Sequence, residues 1–180
     1  MAEDLHEIHE QAEKAREHPG LVGATFTMSL LAVLVAAVSV IGHRAHTATI
    51  LNTEKASDSW AQYQGKSIRR SNNRLFLDLL TVTPAKDAAQ VEQVKAKYSA
   101  ELQRYDGELK DITETAQNYE KQAEHSERKA ARYDLGEVCL EAALVITSIT
   151  LITHRKLFWA MGSGLAALGI IIAITGSWAH

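Results

Sequence analysis

Two acidic residues inside an apolar stretch are the side chains of this sequence best placed to do chemistry. Glu137 and Glu141 are four residues apart, so they share one face of a helix. Glu141 lies about one turn inside residues 135–153, where an ionised carboxylate is costly unless it faces protein or water. In a homo-oligomer, one such residue per subunit would form an acidic ring that selects cations. The alternative is structural, because the first turns of a helix favour negative charge.

Histidines near these carboxylates and near the N-terminus could add metal or proton chemistry. His43 and His46 are three residues apart just beyond the first apolar stretch, so they could join Glu137 in a metal or proton site. His6 and His9 have the same spacing among acidic residues, which makes them weak metal-ligand candidates. A solvated acidic helix is the simpler interpretation of that N-terminal pair.

Enzymatic chemistry has no support in this sequence. It holds no nucleophile paired with a base at motif spacing, no phosphate-binding glycine-rich loop and no CxxC pair. Its single cysteine, Cys139, cannot form an internal disulfide. The formal charge of −3 comes with no clustered basic face, which excludes a nucleic-acid partner. We therefore predict a protein that is not an enzyme, uses no cofactor and binds no nucleic acid.

Three apolar segments must position these residues, and each is long enough to cross a bilayer, which takes about 20 helical residues. Residues 21–42 and 157–178 carry no charged side chain, and 135–153 carries only two glutamates. We predict transmembrane helices at 19–43, 135–153 and 157–178, after a short acidic amphipathic helix at 1–18. Small residues in the third segment are predicted to pack closely against another helix: Gly162, Gly164, Ala166 and Gly169.

Residues 44–134, between the first two spans, carry a heptad pattern. Within 91–133, every seventh residue counted from Val91 or from Leu102 is aromatic, aliphatic or small, which is the a and d pattern of paired helices. The first half repeats this spacing with more polar side chains. We therefore predict an antiparallel helical hairpin with its turn near 81–85. The seam that packs the hairpin or joins subunits comprises Trp60, Tyr63, Arg70, Tyr98, Tyr105, Tyr119 and Tyr133.

The two arms of the predicted hairpin differ in length. About 37 residues lead out and about 50 return, so about 12 residues of the returning arm would overhang, bend or pack on another chain. Matching the arms by distance from the membrane places Arg70 near Tyr105 and Asp106. Thr83 and Pro84 are predicted to start the returning helix as an N-cap and first-turn proline. Apolar residues near the turn are predicted to contact a neighbouring subunit: Leu75, Phe76, Leu79 and Leu80.

Two blocks of the sequence resemble a known family. Residues 57–67, Ser-Asp-Ser-Trp-Ala-Gln-Tyr-Gln-Gly-Lys-Ser, resemble the Asp-x-Trp-x-x-Tyr-Gln-x-Lys-Ser signature of a bacterial inner-membrane protein family of unknown function, domain-of-unknown-function family 4337. Residues 133–138, with Ser148-Ile149 and the basic turn His154-Arg155-Lys156, are similar to a second block of that family. The resemblance implies one span, a helical insertion and two closing spans, and it implies no activity.

These observations predict an all-α integral membrane protein in which a long, coiled-coil-like antiparallel hairpin separates the first and second of three transmembrane helices. Arg155 and Lys156 lie in the short turn between the last two spans, and the positive-inside rule places such a turn in the cytoplasm. The N-terminus is then cytoplasmic and the hairpin extracytoplasmic, in a multi-pass protein of the bacterial inner membrane.

Two classes of function follow from this architecture. The first is a homo-oligomeric, membrane-anchored stalk that acts as a structural, interaction or scaffold protein of the envelope. The second is an oligomeric ion channel or a proton- or cation-coupled membrane protein that uses Glu141 and Glu137. The partners expected under the first are the lipid bilayer, further copies of the chain and other envelope proteins.

Overall fold

The computed structural model describes residues 22–84 and 87–178. The short acidic helix predicted at 1–18 lies outside the described residues, and so do the weak metal-ligand candidates His6 and His9.

Three helices form the described part of the chain, which contains no strand. They are α1 (Val22–Val82), α2 (Ala88–Thr153) and α3 (Lys156–Trp178). All three are long and apolar enough to cross a membrane. Helices α1 and α2 contain 61 and 66 residues, and neither contains a proline, which would remove a backbone hydrogen bond and bend the helix. Each therefore continues without a break from an apolar stretch into a polar one.

The ends of α1 and α2 differ from the prediction that Thr83 and Pro84 start the second helix. Thr83 instead closes α1, because its backbone N–H and its hydroxyl both donate to the Leu79 carbonyl, at 3.1 and 2.8 Å. The N-cap of α2 is Asp87, whose Oδ1 accepts from the backbone N–H groups of Ala89 and Gln90 at 3.0 and 3.2 Å. The prediction of Thr83 as the N-cap is therefore wrong. The Asp87 carboxylate is a favourable cap because it satisfies two free N–H groups and its negative charge complements the positive N-terminus of the helix.

The connection between α2 and α3 is a tight turn at His154. This residue has a φ of 53°, in the left-handed region that usually holds glycine after a helix. Its backbone N–H donates to the Thr150 carbonyl at 2.9 Å, which satisfies one of the last carbonyls of α2.

The chain forms two compact units. The first, here called the apolar unit, comprises the described residues 22–48 and 125–178, and the second, the polar unit, comprises Thr49–Glu124. The core of the apolar unit contains residues from all three helices: Leu31 of α1, Leu140 and Ala143 of α2, and Ala166 of α3.

Glycines bring α2 and α3 into close contact in the apolar unit. A Cβ atom placed on Gly136 would lie 3.0 Å from the Gly169 carbonyl oxygen, and one placed on Gly162 would lie 3.0 Å from the Ala143 carbonyl oxygen. The prediction of close packing is therefore confirmed for Gly162 and Gly169, and Ala166 is also buried. It is wrong for Gly164, which is exposed and has no atom within 4 Å of an added Cβ, because Gly164 lies on another face of α3.

This geometry predicts opposite effects for the same substitution at two glycines of α3. In Gly162→Ala the new methyl group would overlap Thr147 Oγ1 and approach the Ala143 carbonyl oxygen, so we expect a loss of about 1–3 kcal/mol of stability. The matched control, Gly164→Ala, places its methyl group in open space, and we expect a gain of up to about 1 kcal/mol from helix propensity. Thermal unfolding in detergent, followed by circular dichroism, measures both, and equal effects would contradict the close packing.

Candidate functional site

The face of α2 predicted from the heptad pattern is the face that is covered in the polar unit. Tyr105, Leu109, Ala116 and Ala123 are buried, and Ala116 has no exposed surface. We call the covered positions of this unit the α2 seam: Tyr98, Leu102, Tyr105, Leu109, Ile112, Ala116, Tyr119 and Ala123, all of which are buried or half-buried. On α1, Ala56 is buried as well. Small side chains on both helices allow the two backbones to approach closely.

In the polar unit, the hydrogen bonds between α1 and α2 run from donors on α1 to acceptors on α2. Trp60 Nε1 donates to Glu120 Oε1 at 2.8 Å, and Asn73 Nδ2 donates to Glu101 Oε2 at 3.0 Å. Lys66 donates to Glu108 through a short charge-assisted hydrogen bond. In each of these contacts α1 supplies the donor and α2 supplies the carboxylate.

Arg70 and Asp106 form a further contact of this kind, and their proximity was predicted from the sequence. Arg70 Nε lies 2.6 Å from Asp106 Oδ1. The Nε atom is buried and has no hydrogen-bond partner of suitable angle, so the contact is one between charges. The guanidinium over the Tyr105 ring belongs instead to Arg104, which precedes Tyr105 on α2, with 5.2 Å between Cζ and the ring centroid.

Aromatic rings of the predicted seam make contacts within the chain. Phe76 and Tyr98 have ring centroids 4.8 Å apart. Trp60 and Tyr63 meet edge to face with centroids 5.6 Å apart, an arrangement that the charge distribution of aromatic rings favours. The Lys55 ammonium lies 5.5 Å from the centroid of Tyr119.

Two of the contacts between α1 and α2 are equally spaced on the two helices. Lys55 contacts Tyr119 and Phe76 contacts Tyr98, so the two contacts are separated by 21 residues on each helix. Helix α1 ends at Val82 and α2 begins at Ala88, and the overhang of about 12 residues stays a prediction.

The apolar residues predicted as a contact surface lie near the end of α1. Leu75, Leu79 and Val82 are between 57 and 77% exposed. Phe76 is partly exposed beside Tyr98, and Leu80 is half-buried. No other part of the described polar unit has so many exposed large aliphatic side chains within one or two turns.

The residues of the predicted ion or proton site lie on α1 and α2 of the apolar unit. Glu141 is exposed between the exposed Val138 and Val145, Glu137 is half-buried, and His43 is exposed. In the described residues no ion pair joins any of these three groups to a partner. No set of three His, Cys, Asp or Glu residues suited to a metal ion occurs in the described ranges either.

A histidine–carboxylate pair that sequence reasoning missed lies in the apolar unit. His46 Nε2 lies 3.0 and 3.1 Å from the two carboxylate oxygens of Asp134. Asp134 directly follows the predicted seam residue Tyr133, whose Cβ would lie 3.3 Å from a Cβ placed on Gly42. A periodic pattern identifies the face of α1 that carries His46, but it does not identify the residue of α2 with which the His46 ring pairs.

The Lys66–Glu108 pair has the clearest electrostatic effect of the polar unit. The hydrogen bond from Lys66 is the main cause that lowers the pKa of Glu108; desolvation opposes it, and the positive charges of Lys66 and Arg104 lower the pKa further. Arg104 Nε lies 3.4 Å from the second oxygen of Glu108. Both partners are about one-third exposed (35 and 33%), so water screens part of the attraction.

Taken together, the described part of the chain is all-helical, and its three helices are compatible with a multi-pass membrane protein. It belongs to the family described as Domain of unknown function (DUF4337), whose family model matches residues 22–179. The family membership predicted from the two sequence blocks is therefore confirmed. No curated protein and no solved structure matches the chain.

The lowered pKa of Glu108 predicts how stability depends on pH. A carboxylate with a lowered pKa in the folded state stabilises that state above its unfolded pKa of about 4.3, and the contribution is lost as pH falls through the folded pKa. Lys66→Met removes the main cause of the lowered pKa, so we expect the variant to lose less stability than the wild type below about pH 4.3. Unfolding at several pH values measures this difference.

The control for this prediction is Lys110→Met, which removes the same charge from an exposed position of α2. We expect its pH profile to follow that of the wild type. Identical profiles for the wild type and both variants would show that the Lys66–Glu108 pair does not contribute.

Proposed function

We propose that this protein is a membrane-anchored helical stalk with a structural or interaction function in the bacterial envelope, and that it is not an enzyme. In this proposal the polar halves of α1 and α2 form an antiparallel hairpin. The contacts of Lys55, Lys66, Asn73 and Phe76 support this arrangement, because their partners on α2 come progressively earlier in the chain. A pair of long helices joined by several polar contacts suits a protein that presents a contact surface to a partner.

Insertion of the apolar unit into a membrane is supported by the residues on its outer surface. Large apolar side chains are exposed on each of its helices, including Phe26 and Val33 of α1, Val145 of α2, and Ile171 of α3. A soluble protein rarely exposes so much contiguous apolar surface, whereas a bilayer covers it at no cost. The backbone groups are satisfied within helices, as a lipid environment requires.

The bacterial inner membrane, with the N-terminus in the cytoplasm and the hairpin outside, is the location we propose. Arg155 lies in the two-residue connection between α2 and α3, and Lys156 begins α3, so positive charge borders the shortest loop. Charge in short loops has the strongest influence on orientation. A reporter that is active only in the cytoplasm, inserted after Pro84, would overturn this orientation if it were active.

The exposed apolar end of α1 is the observation that carries the proposed function. Leu75, Leu79 and Val82 are exposed within two turns of α1, and a group of exposed apolar side chains with polar neighbours is typical of a protein contact surface. The polar and aromatic side chains of the α2 seam find their partners within one chain. The contact surface for further copies, or for other envelope proteins, is therefore proposed to be this end of α1.

A second candidate function rests on the position of Glu141. An exposed carboxylate between Val138 and Val145 would face lipid in a single inserted chain, which is energetically unfavourable. Assembly that turns this face inward would bring several Glu141 carboxylates together and create a cation path. This function requires an oligomer of at least three chains.

Removing the apolar contact surface is expected to weaken self-association. We expect the double substitution Leu75→Ser and Leu79→Ser to raise the dissociation constant of the oligomer at least about tenfold, because each buried leucine side chain contributes about 1.5–3 kcal/mol. Helix content should not change, since both side chains are exposed. Native mass spectrometry of detergent-solubilised full-length protein measures the oligomer.

The matched control is Ile50→Ser with Leu51→Ser, which removes two exposed aliphatic side chains from the same helix away from the proposed surface. This variant should associate as the wild type does. A monomeric wild type, or equal loss of association in both double variants, would contradict the proposed contact surface.

Cation flux through reconstituted vesicles tests the second function. If Glu141 lines a path, Glu141→Gln should reduce cation flux at least about tenfold without changing assembly, because it removes the charge that attracts cations. Glu127→Gln, an exposed change on the same helix, is the control. Absence of flux through the wild-type protein would exclude the channel function.

A further inference from the structure

A second heptad pattern lies on the outer face of α1, separate from the contacts that α1 makes with α2. Its members alternate at spacings of four and three residues and all are exposed. We call this set the outer stripe: Ala61, Gly65, Ile68, Asn72, Leu75, Leu79 and Val82. Alternation of three and four residues over three heptads is the pattern of a coiled-coil seam.

The outer stripe lies opposite the side chains that reach α2. Arg70 contacts Asp106, and it is two residues from both Ile68 and Asn72 of the stripe, which is roughly 200° around a helix. Lys66 and Asn73 also reach carboxylates of α2. Helix α2 therefore leaves the outer stripe uncovered.

The outer stripe contains no charged residue, although it runs through a strongly charged sequence. Arg69, Arg70, Arg74 and Asp78 lie between its members. Ala61 and Gly65 leave room for close approach, and no atom lies within 4 Å of a Cβ placed on Gly65. A helix face that stays in water has no physical reason to lack charged residues at every third or fourth position. A face that packs against another helix does, because packing would bury those side chains.

We propose that the outer stripe is a parallel, in-register coiled-coil interface with a second copy of this chain, in which Asn72 of one copy meets Asn72 of the other. In the heptad, Gly65, Asn72 and Leu79 take a positions, and Ile68 and Leu75 take d positions. A single asparagine at an a position sets the register and oligomeric state of a coiled coil.

Asn72 favours a second copy over another partner because its amide is self-complementary. The amide carries both donors and an acceptor, so two Asn72 side chains can satisfy each other in an otherwise apolar seam. Arg69 and Gln64 flank the stripe at e and g positions. In a parallel pair, Gln64 of one copy lies beside Arg69 of the other and can accept a hydrogen bond from its guanidinium.

The parallel register rests on the proposed function, because two chains anchored in one bilayer in the same orientation bring identical residues to the same height. The stripe spans 22 residues, or about 32 Å of helix, which is short for a stable interface of about 800 Å² per partner. Anchoring raises the effective concentration of the second copy. The association is therefore a membrane-assisted dimer, and it is tested with the full chain in vesicles.

Disulfide formation between introduced cysteines measures the interface directly. In full-length protein carrying Cys139→Ala, we place one cysteine by Ile68→Cys or Leu75→Cys, both at d positions. Arg74→Cys, exposed on another face of the same helix, is the control. After mild oxidation in vesicles we expect at least about five times more linked dimer from the two stripe positions, because a disulfide requires Cα atoms within about 7 Å.

The isosteric change Asn72→Asp tests the role of the amide. In the proposed register, this change places two negative charges, one from each copy, next to each other. We therefore expect the amount of disulfide-linked dimer formed through the cysteine at position 68 to fall at least about tenfold. Asn118→Asp makes the same change at an exposed position of α2, and it should leave the linked fraction unchanged.

The outcomes separate this inference from the proposed function. Dimers in native mass spectra with no enrichment of linkage at positions 68 and 75 would overturn the outer stripe and leave the stalk function standing. A monomeric chain would overturn both. Equal linkage at positions 68, 74 and 75 would indicate random collision and would also overturn the stripe.

Discussion

The polar unit depends on hydrogen-bond donors of α1 that meet carboxylates of α2 across a seam of small residues. Ala56 on one helix and Ala116 on the other are buried, so the backbones approach closely enough for Trp60 and Lys66 to reach Glu120 and Glu108. Each contact is partly exposed and is worth little alone. Together, however, these contacts specify which residues of α1 face which residues of α2. Apolar packing between two uniform helices would not specify that alignment.

Close approach through small residues also organises the apolar unit, by different chemistry. Here Gly136 and Gly162 bring α2 and α3 into backbone contact, and Leu140 and Ala143 fill the core. In the membrane location proposed above, apolar side chains would gain nothing from leaving lipid, so van der Waals contact between backbones would be the main attraction between these helices. The same helix, α2, therefore carries carboxylates along one part of its length and small residues along another.

Periodicity predicted the buried faces well because it is a local property of the chain. The heptad counted from Val91 and Leu102 identified the α2 seam, and the proximity of Arg70 and Asp106 followed from matching the arms. Individual partners were harder to predict. The ring of Tyr105 receives Arg104 rather than Arg70, and His46 reaches Asp134, because side-chain reach and rotamer decide among several carboxylates and rings at similar height.

The sequence by itself determined the helical class, the three segments able to cross a membrane, the covered face of α2 and the family, since all of these follow from composition, spacing and short motifs. Only the tertiary structure decided that Asp87 caps α2, that Gly162 is in contact and Gly164 is not, and that no described residue covers Glu141 or the outer stripe. The physical reason is that exposure depends on where a second helix lies. A pattern along one helix specifies a face but not which neighbour covers it.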